Sequence, residues 1–194
     1  MQHIRPARAE DEAPIGALLI RAFDQAYTEK MPEVRLNDER YAELRAVGRL
    51  RHVGAVLVGT LEDELIATVT LLPEGLPGSE TWHPGDASLR FLAVDPRFAR
   101  RATGAPHARG FAEPMMDAIE AIAREWRVPG IGLHVRRGAH GVARLYAQRG
   151  YVREPQGDLD LLPLVFLEAH RLTLGAPRPS EHVSHRDDRA ARKP

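Results

Sequence analysis

"LAVDPRFARRATGAPHARGFAEPMMDAIEAIARE", residues 92–125, begins as an apolar strand and ends as an amphipathic helix. The segment between them is rich in Arg, Gly, Ala and Pro, and it exceeds the roughly 2–6 residues that usually join a strand to a helix. Apolar side chains at helical spacing predict one buried face for the helix: Met115, Met116, Ile119, Ile122 and Ala123. So long a cationic connector between two well-defined elements predicts a functional loop.

Two helices and a β-hairpin are predicted before this stretch. A short strand in "HIRPARAED" precedes a helix over residues 15–27, and "NDERYAELRAV" predicts a second helix with Asn37 or Asp38 as its cap. The segment "VGAVLVGTLEDELIATVTLLP" predicts two strands joined by a tight turn at Glu62–Asp63. Consecutive strands with so short a turn pair antiparallel.

The elements after the stretch complete a mixed fold. "IGLHV" predicts a strand, "HGVARLYAQRG" a helix that ends at Gly150, and "YVRE" and "LDLLPLVFLEA" the last strands, with Pro163 breaking or bulging the second. The order is β, α, α, β, β, β, α, β, α, β, β. It predicts an α/β (α+β) fold with a mixed, mostly antiparallel central sheet, one parallel β-α-β unit and helices on both faces.

The composition fits one globular domain followed by a tail. The chain has 194 residues and 43% hydrophobic side chains, which is enough for a core. The last twenty residues, "GAPRPSEHVSHRDDRAARKP", contain almost no apolar side chains. We therefore expect a folded domain over residues 1–172 and a disordered tail over residues 173–194.

Charge and cysteine content narrow the classes of function. Lys+Arg and Asp+Glu are balanced at 27 each, which gives no overall electrostatic reason to expect nucleic acid or membrane as a partner. The chain has no cysteine, which excludes thiolate catalysis and Cys-based zinc sites, and its nine histidines follow no ligand pattern, so no metal is predicted. A charged N-terminus and the lack of a long apolar run predict a cytoplasmic protein.

Three features follow one another within residues 88–151. The strand "LRFLAVDP" ends in Leu-Ala-Val-x-Pro, a basic loop that contains Gly opens the next helix, and "HGVARLYAQRGY" lies downstream. Together they resemble the GNAT superfamily, in which the last motif is Asn-x-x-Ala-x-x-Leu-Tyr-x-x-x-Gly-Phe. The resemblance implies an N-acetyltransferase with acetyl-CoA as co-substrate. The acceptor would be a small molecule or peptide whose primary amine attacks the thioester directly.

Two registers compete for the phosphate-binding loop that the resemblance implies, [Gln/Arg]-x-x-Gly-x-[Gly/Ala]. The first, "ARRATG" at residues 99–104, has Ala99 in place of Gln or Arg and Ala102 in place of Gly. The second, "HARGFA" at residues 107–112, places Gly110 and Ala112 correctly. We prefer the second, because the first would put two prolines into the opening turns of the helix.

In the preferred register, the free N–H groups at the start of the helix would hold the pyrophosphate of the cofactor. The residues that the resemblance then assigns to cofactor binding are His107, Ala108, Arg109, Gly110, Phe111 and Ala112. Three arginines would fall in an insertion before this loop and are candidates for contacting another phosphate: Arg97, Arg100 and Arg101.

The resemblance also implies the remaining contacts of the cofactor and the proton donor. A β-bulge in the fourth strand would separate it from the fifth, and backbone groups of Leu92, Ala93 and Val94 would bind the pantetheine arm. His140 stands where the family often has Asn and can still form a hydrogen bond to that arm. Tyr146, with an ordinary pKa near 10, would donate a proton to the leaving thiolate, and a buried core aromatic is its alternative role.

The general base is left open by the sequence. Ser88 stands near the position where many relatives carry an acidic side chain, and a serine cannot take a proton from an ammonium group. Asp86 or an ordered water could substitute. Carboxylates of the second helical region are candidates for binding a cationic acceptor: Glu33, Asp38 and Glu39.

Departures from the family pattern at His107, Ser88 and His140 support an alternative function. The same fold would then serve as a CoA-binding or ligand-sensing module, or as a protein-interaction scaffold. The acceptor is not identified by any motif. A homodimer through the last strands is also open, because these strands often mediate dimers in the family.

Overall fold

The computed structural model describes residues 2–30, 36–99, 110–162 and 165–175. Its strands are β1 (Gln2–Pro6), β2 (Ala55–Leu61), β3 (Glu64–Leu72), β4 (Ala87–Val94), β5 (Gly130–Arg136), β6 (Val152–Arg153), β7 (Leu159–Leu161) and β8 (Val165–Thr173). Its α-helices are α1 (Glu12–Lys30), α2 (Asp38–Ala46), α3 (Pro96–Ala99), α4 (Ala112–Glu125) and α5 (His140–Gln148). The elements that the sequence predicts up to α5 are all present.

The strands form one mixed sheet in the order β1-β2-β3-β4-β5-β8-β6, with β7 also paired to β8. The pair β4–β5 is parallel, and the other pairs of described strands are antiparallel. This confirms the predicted mixed, mostly antiparallel sheet. The parallel pair is the part of the sheet that matters for function, because β4 and β5 are each followed by a helix that starts at the same edge.

Each face of the sheet has its own core. On one face, α4 contributes Met115, Met116 and Ile119 to a cluster with side chains of the sheet and of α5. On the other, Ile15 and Leu19 of α1 pack with Leu44 of α2. Helices therefore cover both faces, as predicted, and we call the two sides the α4/α5 face and the α1/α2 face.

Local signals in the sequence account for several element boundaries. The Asn37 side chain accepts a hydrogen bond of 2.8 Å from the Arg40 N–H and caps α2. Glu62 and Asp63 both have positive φ, 49° and 67°, as a two-residue hairpin turn of the right twist requires. Gly150, with a φ of 90°, follows the C-cap residue of α5 and terminates this helix. All three were expected from the sequence.

The C-terminal part differs from the prediction. The segment "LDLLPLVFLEA" forms two antiparallel strands, β7 and β8, rather than one strand, and residues 163 and 164 between them lie outside the described ranges. Strand β8 ends at Thr173, one residue beyond the predicted limit of the domain. Residues 176–194, where we predicted a disordered tail, are also outside the described ranges. No helix in the described ranges is both long and apolar enough to cross a lipid bilayer.

Candidate active site

Strand β4 carries a bulge. Thr70 of β3 lies opposite Arg90, whereas Thr68, two residues earlier, lies opposite Ala93, so β4 has one extra residue in this interval. Phe91 sits within it with a φ of 55°, which is unusual for a residue with a bulky side chain. The bulge inverts the alternation of the strand: Leu89 faces the α4/α5 core, but Phe91 faces the α1/α2 core.

Beyond the bulge, β4 separates from β5. The two strands pair through Ala87 with Ile131 and through Ser88 with Gly132, and the described residues form no later pair between them. Residues 92–94 lie past this point, so their backbone groups on the β5 side take no part in the sheet. The predicted separation of the two strands is confirmed, and the binding of pantetheine in the gap stays a prediction.

The paired end of β4 and β5 is fixed by a buried ion pair. Arg171 of β8 donates to the two carboxylate oxygens of Asp86 at 2.6 and 3.0 Å, and Asp86 is only 2% exposed. A carboxylate held in this way cannot serve as a free base, which corrects the suggestion made for Asp86. Ser88 is buried too, and its Oγ has no hydrogen-bond partner in the part of the chain that the structure describes.

The helix after the gap begins where the second loop register requires. Helix α4 starts at Ala112, Phe111 is its N-cap residue without a side-chain hydrogen bond, and Pro114 lies in its first turn. A Cβ added at Gly110 would meet no atom of the described residues within 4 Å, so these residues leave the backbone open on that side. His107, Ala108 and Arg109 lie outside the described residues. Pyrophosphate binding by Gly110, Phe111 and Ala112 stays a prediction.

The first part of the connector is a short helix, α3, fixed by charged contacts. The Arg97 guanidinium donates to Asp95 at 3.0 and 2.9 Å and also contacts Glu64. Hydrogen bonding from Arg97 holds the pKa of Asp95 well below its ordinary value despite burial, and Arg21 adds a further bond of 2.9 Å. Arg97 thus anchors the end of β4, which argues against its suggested phosphate contact, and Arg100 and Arg101 are outside the described residues.

Tyr146 lies on the α4/α5 face in the same apolar cluster as Leu92 and Val94. It is 5% exposed, and its ring centroid is 5.4 Å from that of Tyr151. Burial raises the pKa of Tyr146 above its ordinary value, which corrects the expectation of an unperturbed phenol. The phenol is therefore protonated at any physiological pH, as a proton donor must be.

His140 is the first residue of α5 and is exposed. Because β4 and β5 are parallel, the chain leaves both strands at the same edge, where α5 starts shortly after β5 and the start of α4 contacts α3 through Phe111 and Phe98. His140 is thus at the edge where the gap opens, and its contact with the pantetheine arm stays a prediction. No group of three or more potential metal ligands occurs among the described residues.

A polar cluster on the α1/α2 face was not predicted from the sequence. Arg90 donates to Glu80 at 2.7 Å, and the same carboxylate lies 3.4 Å from Nδ1 of His134. Burial alone would raise the pKa of Glu80, but the hydrogen bond from His134 and the charge of Arg90 outweigh it and hold that pKa below its ordinary value. Glu80 is therefore ionised and already paired.

His134 and its neighbours are held by the loop before β4. Its Nε2 is 2.8 Å from the carbonyl oxygen of Gly157, to which it must donate, and its ring meets that of Trp82 at a centroid distance of 5.3 Å. The Trp82 indole donates to Glu154 at 2.8 Å. A Cβ on Gly132 would come within 2.9 Å of the Trp82 ring, so only glycine lets the indole lie on β5.

The carboxylates that the sequence suggested for a cationic acceptor do not join this cluster: Asp38 and Glu39 are exposed on α2, and Glu33 is outside the described residues.

Known proteins share both the sequence pattern and the fold of this chain. The sequence profile of the acetyltransferase (GNAT) family matches residues 13–151. None of the curated protein sequences matches the chain. Many solved structures share its fold. A GNAT-family acetyltransferase from Staphylococcus aureus Mu50 is 12% identical, with a TM-score of 0.67 over 90% of this chain and 100% of the other.

Two further structures of similar fold contain the cofactor. A GNAT-family acetyltransferase from Brucella melitensis in complex with acetyl-CoA is 19% identical, with a TM-score of 0.57 over 92% of each chain. The PaiA N-acetyltransferase from Thermoplasma acidophilum in complex with coenzyme A is 13% identical, with a TM-score of 0.59 over 87% of this chain and 98% of the other. The bulged fourth strand, the gap beside it and the family match over most of the domain lead to one conclusion: the chain belongs to the GNAT family of acetyltransferases.

Proposed function

We propose that the protein is an N-acetyltransferase that moves the acetyl group of acetyl-CoA to a primary amine by direct attack. The observation that carries this proposal is the separation of β4 from β5 beyond Ser88. A strand edge with free backbone groups inside a folded domain provides hydrogen bonds for an extended, amide-containing ligand. The pantetheine arm of acetyl-CoA is such a ligand.

The residues around the gap fit the other parts of acetyl-CoA. The start of α4 offers backbone N–H groups and the positive end of the helix dipole, which favour an anion such as pyrophosphate. Gly110 leaves room for an anion to approach the backbone there. Acetyl-CoA supplies an activated acyl group on a thiol that leaves as a thiolate.

The chain's own contribution to the chemistry would be orientation and one proton. Leu92, Ala93 and Val94 would align the arm through their backbone groups. Tyr146 belongs to the same apolar cluster of the α4/α5 face as Leu92 and Val94 and keeps its proton at neutral pH, so it is in the correct state to protonate the thiolate. The amine would arrive from the α1/α2 face.

A second candidate function keeps binding without transfer. The observation that favours it lies on the α1/α2 face, from which the amine would arrive. There the carboxylates of Glu43 and Glu80 both interact with Arg90, so neither is a free base. A protein without a free base on that side would bind acetyl-CoA as a sensor. Thiol release separates the two functions, because only the enzyme produces free CoA in the presence of an amine.

The test measures binding and turnover on the same protein. We expect saturating acetyl-CoA to raise the melting temperature and to give a calorimetric binding signal, and we expect amine-dependent thiol release across a panel of primary amines. Absence of any binding would contradict both functions. Binding without release across the panel would favour the sensor.

A variant at Gly110 tests where acetyl-CoA binds. Because a Cβ at Gly110 would meet no atom of the described residues within 4 Å, Gly110→Val should leave the melting temperature of the free protein nearly unchanged. The same change should weaken acetyl-CoA binding at least tenfold, since the branched side chain keeps the anion away from the backbone. Unchanged affinity would move the pyrophosphate site away from the start of α4.

A further inference from the structure

A row of stacked rings and guanidinium groups links the separated strands on the α1/α2 face. Its members, in order, are Phe91 of β4, Arg40 of α2, Phe23 and Tyr27 of α1, and Arg136 of β5. Arg40 Cζ lies 5.8 Å from the centroid of the Phe91 ring and 5.5 Å from that of the Phe23 ring. We call this set the arginine–aromatic row. It connects the bulge of β4 with the last residue of β5.

The contacts at the far end of the row fix the position of Arg136. The rings of Phe23 and Tyr27 have centroids 6.2 Å apart, and Arg136 Cζ lies 5.2 Å from the centroid of the Tyr27 ring. Stacking of this kind holds the plane of a guanidinium group, because the ring covers its face and does not use its N–H donors. Arg136 is thus oriented by its ring partner rather than by an acid.

Arg136 differs from Arg40 and Arg90 of the same face in its charge balance. Arg40 contacts Glu43, and Arg90 contacts Glu80 and Glu43. No carboxylate of the described residues pairs with Arg136, and its Nη1 is buried without a hydrogen-bond partner. An unsatisfied buried donor has a cost in free energy, and a charged one costs more. A ligand that supplies the missing acceptor would recover this free energy.

The place of Arg136 relative to the gap indicates which ligand this is. The start of α4 and Tyr146 assign acetyl-CoA to the α4/α5 face and the edge of the sheet, so the amine must reach the gap from the α1/α2 face. Arg136 ends β5 on that face, across the gap from Phe91. A guanidinium fork matches the two oxygens of a carboxylate.

We infer that the acceptor amine carries a carboxylate, which Arg136 binds while the amine lies at the gap. The substrate class is therefore an amino acid or a related aminocarboxylate, rather than a polyamine or an aminoglycoside. This inference rests on the proposed acetyltransferase function for its chemistry. The carboxylate site itself is a binding property and can be measured without turnover.

The first experiment compares ligands that differ at the carboxylate. L-Phenylalanine, its amide and phenethylamine share a primary amine and a phenyl ring, which suits the arginine–aromatic row. We expect a KM for the acid at least tenfold below that for the amide and the amine. Equal KM values for the three would overturn the inference while leaving the acetyltransferase function in place.

Variants of Arg136 assign the effect to this residue. Arg136→Gln should raise the KM for the acid at least tenfold and leave the KM values for the amide and for acetyl-CoA unchanged. Arg136→Lys, which keeps the charge without the fork, should recover part of the loss. Arg127→Gln is the matched control, because Arg127 is exposed and precedes the opposite end of β5. An equal rise in KM for acid and amide in Arg136→Gln would also overturn the inference.

Binding to the CoA-saturated protein gives a readout that does not need turnover. The acid should raise the melting temperature more than the amide in the wild type and not in Arg136→Gln. No preference for the acid would contradict the inference even if no amine is acetylated. The matching aminophosphonate is a further ligand to compare. If it binds more tightly than the acid and this binding depends on Arg136, the ligand group is phosphate-like rather than a carboxylate, and the stated substrate class is overturned.

Discussion

The rings of Phe98 and Phe111 meet edge to face, with centroids 5.9 Å apart and an interplanar angle of 83°. Phe98 belongs to α3, just after β4, and Phe111 is the N-cap residue of α4. The contact joins the two ends of the long connector between β4 and α4. The start of α4 is therefore held close to the end of β4, whatever the length of chain between them.

A double-mutant cycle measures this contact. Edge-to-face aromatic pairs contribute about 0.5–1.5 kcal/mol beyond the area they bury. We expect Phe98→Ala and Phe111→Ala to be coupled by that amount in urea unfolding of the four proteins. Phe98→Ala combined with Phe166→Ala is the control and should be additive, because Phe166 lies on β8 and stacks with Arg137. Additivity of both pairs would mean that the connector is not closed by this contact.

Tyr146→Phe should slow acetyl transfer on the order of 100-fold, the lower range for loss of a general acid, and leave acetyl-CoA affinity nearly unchanged. Tyr151→Phe is the matched control. It removes a buried hydroxyl without a partner from the neighbouring ring, so activity and stability should both be kept.

The pH dependence adds a second readout for Tyr146. Since burial raises the pKa of this phenol, it should remain protonated above its ordinary value of about 10, and kcat should show no loss from its titration below that pH. Wild-type kcat in Tyr146→Phe would remove Tyr146 from the mechanism.

The bulge predicts an unusual order of stability at Phe91. Both Phe91→Ala and Phe91→Gly lose a buried ring, which costs about 3–5 kcal/mol. Because the backbone φ is positive, glycine should be more stable than alanine here by about 1 kcal/mol. The same pair of changes at Phe23, within α1, should give the opposite order, since alanine favours a helix. Chemical denaturation of the four variants decides, and a more stable Phe91→Ala would contradict the bulge geometry.

Asp95 should make the protein sensitive to acid. Its pKa is lowered in the folded state by Arg97 and Arg21, so its stabilisation is complete above the unfolded value of about 4 and is lost as the pH falls below it. Asp95→Asn should lower the free energy of unfolding by about 1.5–3 kcal/mol at pH 7. The difference from wild type should shrink between pH 4 and pH 2. Asp24→Asn, on the exposed surface of α1, is the control and should change neither the free energy of unfolding at pH 7 nor its pH dependence. If the difference between wild type and Asp95→Asn stays constant from pH 4 to pH 2, the proposed linkage is ruled out.

Much of the fold follows from local signals. Period-2 and period-3.6 patterns locate the elements up to α5, and Asn37, Glu62, Asp63 and Gly150 mark their ends through caps and turns. The bulge was expected from the Leu-Ala-Val-x-Pro motif and not from periodicity, because an extra residue breaks the alternation on which strand prediction depends. The division of the last apolar segment into two strands, β7 and β8, was not predicted, because a proline within an apolar run is compatible with both a bulge and a break.

The acceptor side of the site could not be predicted from local sequence. Glu80 and His134 are 54 positions apart and meet only because the loop before β4 folds over β5. Arg97 had two readings in the sequence, and its partner Glu64 lies 33 positions away. Arg136 gave no signal either, since an arginine at a strand end is ordinary until its lack of an acidic partner is visible. Long-range contacts decide each of these cases.

The ion pair of Asp86 and Arg171 lies at the closed end of the gap, next to the two residue pairs that join β4 to β5. From Ser88 to Val94 the strand extends for six residues, or about 20 Å. Over that length, a rotation of about 3° at the closed end moves the open end by about 1 Å, a displacement large enough to disturb the alignment of reacting groups. The ion pair thus fixes the angle at which the two strands diverge, and we expect substitutions around Arg171 to change the rate of the proposed transfer without touching either substrate.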